Sequence, residues 1–73
     1  MEKYDNEIEA YMQSHFSVLN EKDRRHYAAI EALKFPHGGI DYIAGLFGIS
    51  TKTVSTGIKE IKKKSIAGKQ DKK

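Results

Sequence analysis

A three-residue junction between two segments of helical apolar spacing constrains this chain more than any other feature. The stretch "IAGLFGISTKTVSTGIKEI", residues 43–61, repeats apolar residues at helical spacing on both sides of Gly48-Ile49-Ser50. Gly48 suits a left-handed C-cap and Ser50 suits an N-cap, so two short helices are predicted to meet at a sharp turn. Ala44 is small enough for the second helix to cross close to the first. This arrangement is typical of a helix-turn-helix motif.

The rest of the chain also has helical apolar periodicity and no convincing strand pattern. Asp5 and Asn20 are predicted N-caps, and Pro36 disfavours helical geometry at the residue before it. Helices are therefore predicted near residues 6–16, 21–34, 40–47 and 51–63. The expected fold class is all-α, a small bundle with a three-helix helix-turn-helix core and an N-terminal amphipathic helix.

The spacing also predicts which faces of these helices are buried. In the first helix the predicted core face is a mainly apolar stripe at positions i, i+4, i+7, i+8 and i+11, formed by Tyr4, Ile8, Tyr11, Met12 and His15. In the second helix it is formed by Tyr27, Ile30 and Leu33, with Ala29 beside them. In the fourth helix, Val54, Ile58 and Ile61 are expected to face the core, with Gly57 on the same side.

Length and composition exclude several classes of protein. A chain of 73 residues without cysteine is expected to form one small domain that has neither disulfides nor a thiolate metal site. No apolar run is long enough for a membrane span, and the acidic start "MEKYDNEIEA" is unlike a secretory signal. An intracellular protein is the resulting expectation, with three regions: the N-terminal helix at 1–18, the helix-turn-helix domain at 19–64, and a disordered basic tail at 65–73.

Charge is unevenly distributed along the chain. Residues 1–36 contain five Lys or Arg and seven Asp or Glu, whereas residues 37–73 contain eight Lys and three acids. The first half therefore has a net charge of −2 and the second half +5. Such asymmetry indicates either a polyanionic partner or a solvated lysine-rich tail, and charge alone does not separate the two.

The predicted fourth helix carries no acid before Glu60 on its outward face. Hydroxyl and ammonium groups there can contact base edges and phosphates of double-stranded DNA, which would repel carboxylates. A purely solvated helix usually carries Glu–Lys pairs and better helix formers. The predicted DNA-binding residues are Ser50, Thr51, Lys52, Thr53, Ser55, Thr56, Lys59 and Lys63.

No other constellation predicts chemistry. The three histidines lie on separate predicted elements, without cysteines or clustered carboxylates to complete a metal site. No nucleophile turn or acid–base pair is recognisable. The "PHGG" sequence at residues 36–39 lacks the Lys-Ser/Thr of a phosphate-binding loop and is expected to be a turn. The expectations are therefore no catalysis on this chain, no metal, no cofactor and no small-molecule substrate.

Residues 19–61 contain "Leu-Asn-Glu", a paired "Arg-Arg", an "Ala-Ala…Glu-Ala" helix, "Gly-Gly-Ile" and "Gly-Ile-Ser…Thr-Val…Gly-Ile". In these elements the chain resembles the N-terminal region of bacterial insertion-sequence transposases with a DDE-type catalytic domain. The resemblance implies a helix-turn-helix that binds the terminal repeats of the element. It also implies that the catalytic acids lie in a later domain. A bacterial cytoplasmic protein associated with the nucleoid, with residues 19–64 as its DNA-binding domain, is the corresponding expectation.

Two alternatives remain open on the sequence. The chain is also consistent with a free-standing transcriptional regulator that dimerises through the N-terminal helix, with Tyr4, Ile8, Tyr11 and Met12 as the dimer face. A helical protein-interaction module that uses the same helix and binds no nucleic acid is the third hypothesis.

Overall fold

Four helices make up the fold. The computed structural model describes the backbone of residues 3–70 and the side chains of residues 3–63. Within this part of the chain there is no strand, and the helices are α1 (Asn6–Ser17), α2 (Glu21–Leu33), α3 (Gly39–Phe47) and α4 (Thr51–Gln70). The predicted all-α class is confirmed. Apart from the end of α4, every predicted helix boundary agrees within one residue.

The predicted caps define where the helices begin and end. Asp5 Oδ1 accepts a hydrogen bond from the Ile8 amide at 2.9 Å, and Asn20 Oδ1 accepts one from the Asp23 amide at 2.8 Å. Such bonds satisfy donors that the first turn of a helix leaves free. Gly48 ends α3 with a φ of 69°, in the left-handed region that glycine adopts at little cost.

A single core joins all four helices. Its buried members come from α1 (Met12, Phe16), α2 (Ala28, Ala32), α3 (Ile43, Ala44) and α4 (Val54). Ile43 and Val54 are fully buried, at the corner between α3 and α4. Apolar side chains on both sides of the short turn therefore hold the helix-turn-helix together, as the sequence predicted.

The predicted buried face of α2 is only partly correct, since Ala29 is buried and Tyr27 is half-buried but the other two members are not. Ile30 and Leu33 remain 49% and 47% exposed, whereas Ala28, Ala29 and Ala32 are buried. The reason is the position of α2, which packs against α1, α3 and α4. The small residues of α2 allow these three helices to pack close to it. The two large apolar residues lie on the remaining side of α2, which faces solvent.

Glycine and alanine allow α2 and α4 to cross at short range. A Cβ atom placed on Gly57 would lie 2.5 Å from the Arg25 carbonyl oxygen and 3.1 Å from the Ala29 Cβ. Any larger residue at position 57 would force the two helices apart. Gly57 is buried, as expected from its predicted position on the core side of α4.

The predicted buried stripe of α1 is only partly correct. Ile8 and Tyr11 are 42% and 62% exposed, and His15 is also exposed, whereas Met12 and Phe16 are buried. Because α1 packs through one narrow edge, it buries only the residues nearest α2 and α3. Phe16 stacks on Phe47 of α3, with ring centroids 4.2 Å apart.

Polar contacts fix the start of α1 against the bundle. The Tyr4 hydroxyl donates to Glu31 Oε1 at 2.9 Å, and the Tyr42 hydroxyl donates to a carboxylate oxygen of Glu9. Glu31 is only 8% exposed, although it is charged. Its burial is compatible with stability because Tyr4 and Lys34 donate to its carboxylate.

The C-terminal part of the chain differs from its prediction. α4 continues to Gln70, beyond the predicted end near residue 63, so residues 65–70 are helical where a disordered tail was predicted at 65–73. Residues 71–73 lie outside the described residues. In the part of the chain that the structure describes, no helix has the length and apolar character needed to cross a membrane.

Candidate nucleic-acid interface

The N-terminus of α4 is built around Ser50. Its hydroxyl oxygen accepts a hydrogen bond from the Thr53 amide at 3.1 Å and lies 2.9 Å from Thr53 Oγ1. Ser50 is therefore the N-cap that the sequence predicted. Because the two hydroxyls bond to each other, Ser50 and Thr53 primarily hold the start of the helix in place, and Thr53 is also half-buried.

A ridge of exposed side chains runs along the outer side of α4. Lys52, Thr56, Lys59 and Lys63 are all exposed and follow one another at i, i+4, i+7 and i+11. This spacing keeps them on one face of a helix. We call these four residues the α4 ridge. Three ammonium groups and one hydroxyl give it donors for phosphate oxygens and for base edges.

Two other predicted site residues lie beside this ridge and differ in their exposure to solvent. Thr51 is exposed in the first turn of α4, whereas Ser55 is half-buried. The structure therefore brings Thr51 and the four ridge residues to the surface of α4. It leaves Ser50, Thr53 and Ser55 less accessible than the sequence predicted or engaged in the helix cap.

Glu60 is the one acidic residue of α4, and α2 neutralises it. Its Oε1 accepts hydrogen bonds from Arg25 Nε at 2.9 Å and from His26 Nε2 at 2.8 Å. The hydrogen bond from Arg25, followed by that from His26, lowers the pKa of Glu60 below its usual value. The carboxylate is thus held towards α2 by a guanidinium of opposite charge, which limits its repulsion of an anion at the α4 ridge.

A groove separates the first half of α4 from the beginning of α2. Its volume is about 650 Å³, and Phe16 and Ile49 contribute its apolar lining. The polar lining comes from both helices: Glu21, Arg24 and Arg25 of α2, and Lys52, Thr53, Thr56 and Glu60 of α4. We call this space the α2–α4 groove.

Arg24 lines this groove and connects two helices. Its Nε donates to the Phe16 carbonyl at 3.1 Å, and its Nη2 donates to the Ser17 carbonyl at 2.9 Å. These carbonyls lie at the C-terminus of α1, where the last carbonyl groups of a helix lack intrahelical N–H donors and where a positive charge is favourable. Arg24 therefore ties α1 to α2.

Spacing along the sequence did not predict the α2–α4 groove. Arg25 and Glu60 are 35 residues apart, and helical periodicity within α2 says nothing about which residues of α4 it meets. The only sequence signal at this place is the paired "Arg-Arg" at positions 24 and 25, noted through the transposase resemblance.

The histidines and acids do not converge on one point. Among the described residues, no group of three or more His, Cys, Asp or Glu side chains is arranged to hold a metal ion. His15 packs edge-on against Tyr27 with ring centroids 5.1 Å apart, and His26 pairs with Glu60.

The predicted dimer face is reduced by the fold. Met12 is buried in the core and Tyr4 is half-buried with its hydroxyl bonded to Glu31, so neither is available to a second subunit. Ile8 and Tyr11 remain exposed on α1. Dimerisation through those two residues stays a prediction.

Comparison of the chain with protein-family models, with curated proteins and with solved structures found no match in any of the three.

Proposed function

We propose that this chain is a double-stranded DNA-binding module in which α4 enters the major groove. The observation that carries the proposal is the α4 ridge, where three exposed lysines and a threonine follow one face of the second helix of a helix-turn-helix. The only acid of that helix is paired with Arg25 and His26 of α2. A helix of this width and charge fits the major groove, with phosphates as partners for its lysines.

The charge distribution of the molecule supports the same proposal. α4 lies in the half of the chain whose net charge is +5, and its ridge contains Lys52, Lys59 and Lys63. The positive end of the α4 dipole adds to the potential beside Thr51 and Lys52. The phosphate backbone of DNA is a polyanion whose charges such lysines can neutralise.

We further propose that the module belongs to a bacterial insertion-sequence transposase and binds the terminal repeats of the element. This narrower proposal is supported by the resemblance of residues 19–61, including the "Gly-Ile-Ser…Thr-Val…Gly-Ile" half that forms the turn and α4. On this proposal the chain itself carries no catalytic step and acts at the bacterial nucleoid. A free-standing dimeric regulator is the alternative, and the exposed pair Ile8 and Tyr11 is the feature that favours it.

Titration with duplex DNA at several salt concentrations tests the proposal. Contacts to about four or five phosphates predict a log–log salt slope of roughly −3 to −5, with micromolar or weaker non-specific affinity. In the same experiment, amide resonances of α3 and α4 should shift when duplex is added at low salt. Unmoved resonances in both helices under those conditions would contradict the proposal and favour a protein-interaction module.

Two substitutions on the α4 ridge separate base contacts from phosphate contacts. Thr56→Ala should change the preference among duplex sequences, since a base-reading contact contributes about 1–3 kcal/mol. Lys63→Ala should weaken binding to all sequences alike and reduce the salt slope by about one unit. Both side chains are exposed, so circular dichroism should show an unchanged fold. If Thr56→Ala binds every duplex as the wild type does, the α4 ridge does not read bases.

A further inference from the structure

Arg25 occupies a special position in the α2–α4 groove. Its Nε donates to Glu60 Oε1 at 2.9 Å, which fixes the plane of the guanidinium beside α4. Its side chain is 27% exposed, and within the part of the chain that the structure describes its two Nη atoms make no hydrogen bond. The Nη atoms carry four of the five N–H donors of an arginine. Arg25 is thus oriented by one contact while most of its donors remain available.

The other groups of the groove are compatible with an anion at this point. The guanidinium of Arg24 is engaged by carbonyls of α1, and Glu60 is engaged by α2. Lys52 and Thr56 line the α4 side of the same groove and belong to the α4 ridge. The remaining acid, Glu21, is exposed in the first turn of α2.

We propose that the α2–α4 groove binds a backbone phosphate of the duplex that α4 contacts, with the Nη atoms of Arg25 as its principal ligands. Lys52, on the α4 side of the groove, supplies a second positive charge. This inference rests on the proposed DNA-binding function and adds α2 to the contact surface. A guanidinium offers parallel donors that match two oxygens of one phosphate, and a charge-assisted pair of this kind is stronger than a neutral hydrogen bond.

In this arrangement Glu60 is a positioning residue. It holds Arg25 through Nε, and a carboxylate accepts that bond without occupying the Nη donors. Lysine cannot replace arginine here, because a single ammonium group cannot pair with Glu60 and at the same time present a planar fork to a phosphate.

Duplex titration monitored by fluorescence anisotropy over a range of salt concentrations tests this role. Arg25→Gln should weaken binding at low salt roughly tenfold for every duplex sequence and reduce the salt slope by about one unit. Arg25→Lys should keep most of the salt slope but not the full affinity. The matched control is Lys34→Gln, which also removes a cation paired with a glutamate, at 3.3 Å from Glu31, but near the opposite end of α2. Lys34→Gln should leave the salt slope unchanged.

A measurement on the wild-type protein avoids any effect of substitution on folding. The Arg25 Nε–Hε resonance should shift and sharpen when duplex is added, because phosphate binding at Nη immobilises the guanidinium. Inorganic phosphate at the same phosphate concentration should shift it much less. An equal response to inorganic phosphate would mean that the groove binds small anions, and would overturn the assignment to the duplex backbone.

Two outcomes distinguish failure of this inference from failure of the proposed function. In the first, Arg25→Gln has the same affinity and salt slope as Lys34→Gln, whereas Lys52→Gln lowers both the affinity and the salt slope. This result would mean that α4 binds DNA but that the α2–α4 groove holds no phosphate. If the wild-type protein binds no duplex at low salt, the DNA-binding function and the phosphate site are both wrong.

Discussion

At the scale of single residues, two glycines of similar local context have opposite structural roles. Gly57 lies where α4 crosses α2, and a Cβ there would be 2.5 Å from the Arg25 carbonyl oxygen. Gly45 lies in α3, and a Cβ there would meet nothing within 4 Å. Both are inside helices, where alanine is intrinsically favoured over glycine by about 1 kcal/mol. Only the tertiary contact distinguishes them.

We therefore expect Gly57→Ala to destabilise the protein by about 1–3 kcal/mol, because the overlap with α2 exceeds the gain in helix propensity. Gly45→Ala should instead stabilise it by about 0.5–1 kcal/mol. Urea unfolding followed by far-UV circular dichroism measures both differences in the free energy of unfolding. Equal effects of the two substitutions would show that α2 and α4 do not approach closely at Gly57.

At the scale of elements, α1 is attached to the bundle by tyrosine–carboxylate hydrogen bonds as well as by apolar contacts. Burial, together with the hydrogen bond and charge of Glu31, raises the pKa of Tyr4 above 10.0. For Tyr42, burial and the hydrogen bond to Glu9 raise the pKa in the same direction. An ionised phenol would lose the proton that it donates and would face a carboxylate of the same charge.

These shifts predict the direction of an alkaline effect on stability. A group whose folded pKa is raised contributes stability that is fully present below its unfolded pKa, here 10.0, and that is lost as pH rises through the folded pKa. Urea unfolding in a series from pH 8 to 11 should show that the free energy of unfolding begins to decrease near pH 10. Tyr42→Phe should lower stability at neutral pH by about 0.5–1.5 kcal/mol and make the alkaline decrease shallower.

Tyr11→Phe is the control for this series. Tyr11 is 62% exposed, and the hydrogen bond of its hydroxyl, to Glu7, lies within α1. This variant should unfold as the wild type does across the same pH range. A decrease of equal steepness in Tyr42→Phe and Tyr11→Phe would show that the interhelical tyrosine contacts do not produce the alkaline effect.

At the scale of the whole molecule, α1 shares its core with the helix-turn-helix. Met12 and Phe16 are buried with Ile43, Ala44 and Val54 in one cluster. The sequence predicts residues 1–18 and 19–64 as separate regions. A common core instead favours cooperative unfolding of all four helices, as is usual for small single domains.

We expect a single urea transition in which tyrosine fluorescence and far-UV circular dichroism coincide. Phe16→Ala should lower the midpoint of both signals together by removing a buried ring, at a cost of about 3–5 kcal/mol. Hydrogen exchange provides the decisive comparison, since amides of α1 should be protected to a similar degree as those of α4 near Val54. Loss of protection in α1 alone, at low urea, would mean that α1 is a separate unit.

Local signals in the sequence were sufficient to predict the four helices and the turn between α3 and α4. Asp5, Asn20, Ser50 and Gly48 are local signals, because a cap acts within one turn of its own helix. They predicted where α1, α2 and α4 begin and where α3 ends, whereas α4 continues to Gln70, beyond its predicted end. Periodicity along α4 likewise placed Val54 in the core and the α4 ridge at the surface.

The features that depend on which helices are neighbours follow only from the tertiary structure. Ile30 and Leu33 are half-exposed because the buried side of α2 is formed by its alanines. These small side chains allow the neighbouring helices to pack close to α2. The pairing of Arg25 with Glu60, and with it the α2–α4 groove, arises where α2 and α4 cross at Gly57. Helical periodicity relates only residues within the same helix. It therefore cannot predict a contact between residues 35 positions apart, such as Arg25 and Glu60, which only the packed structure shows.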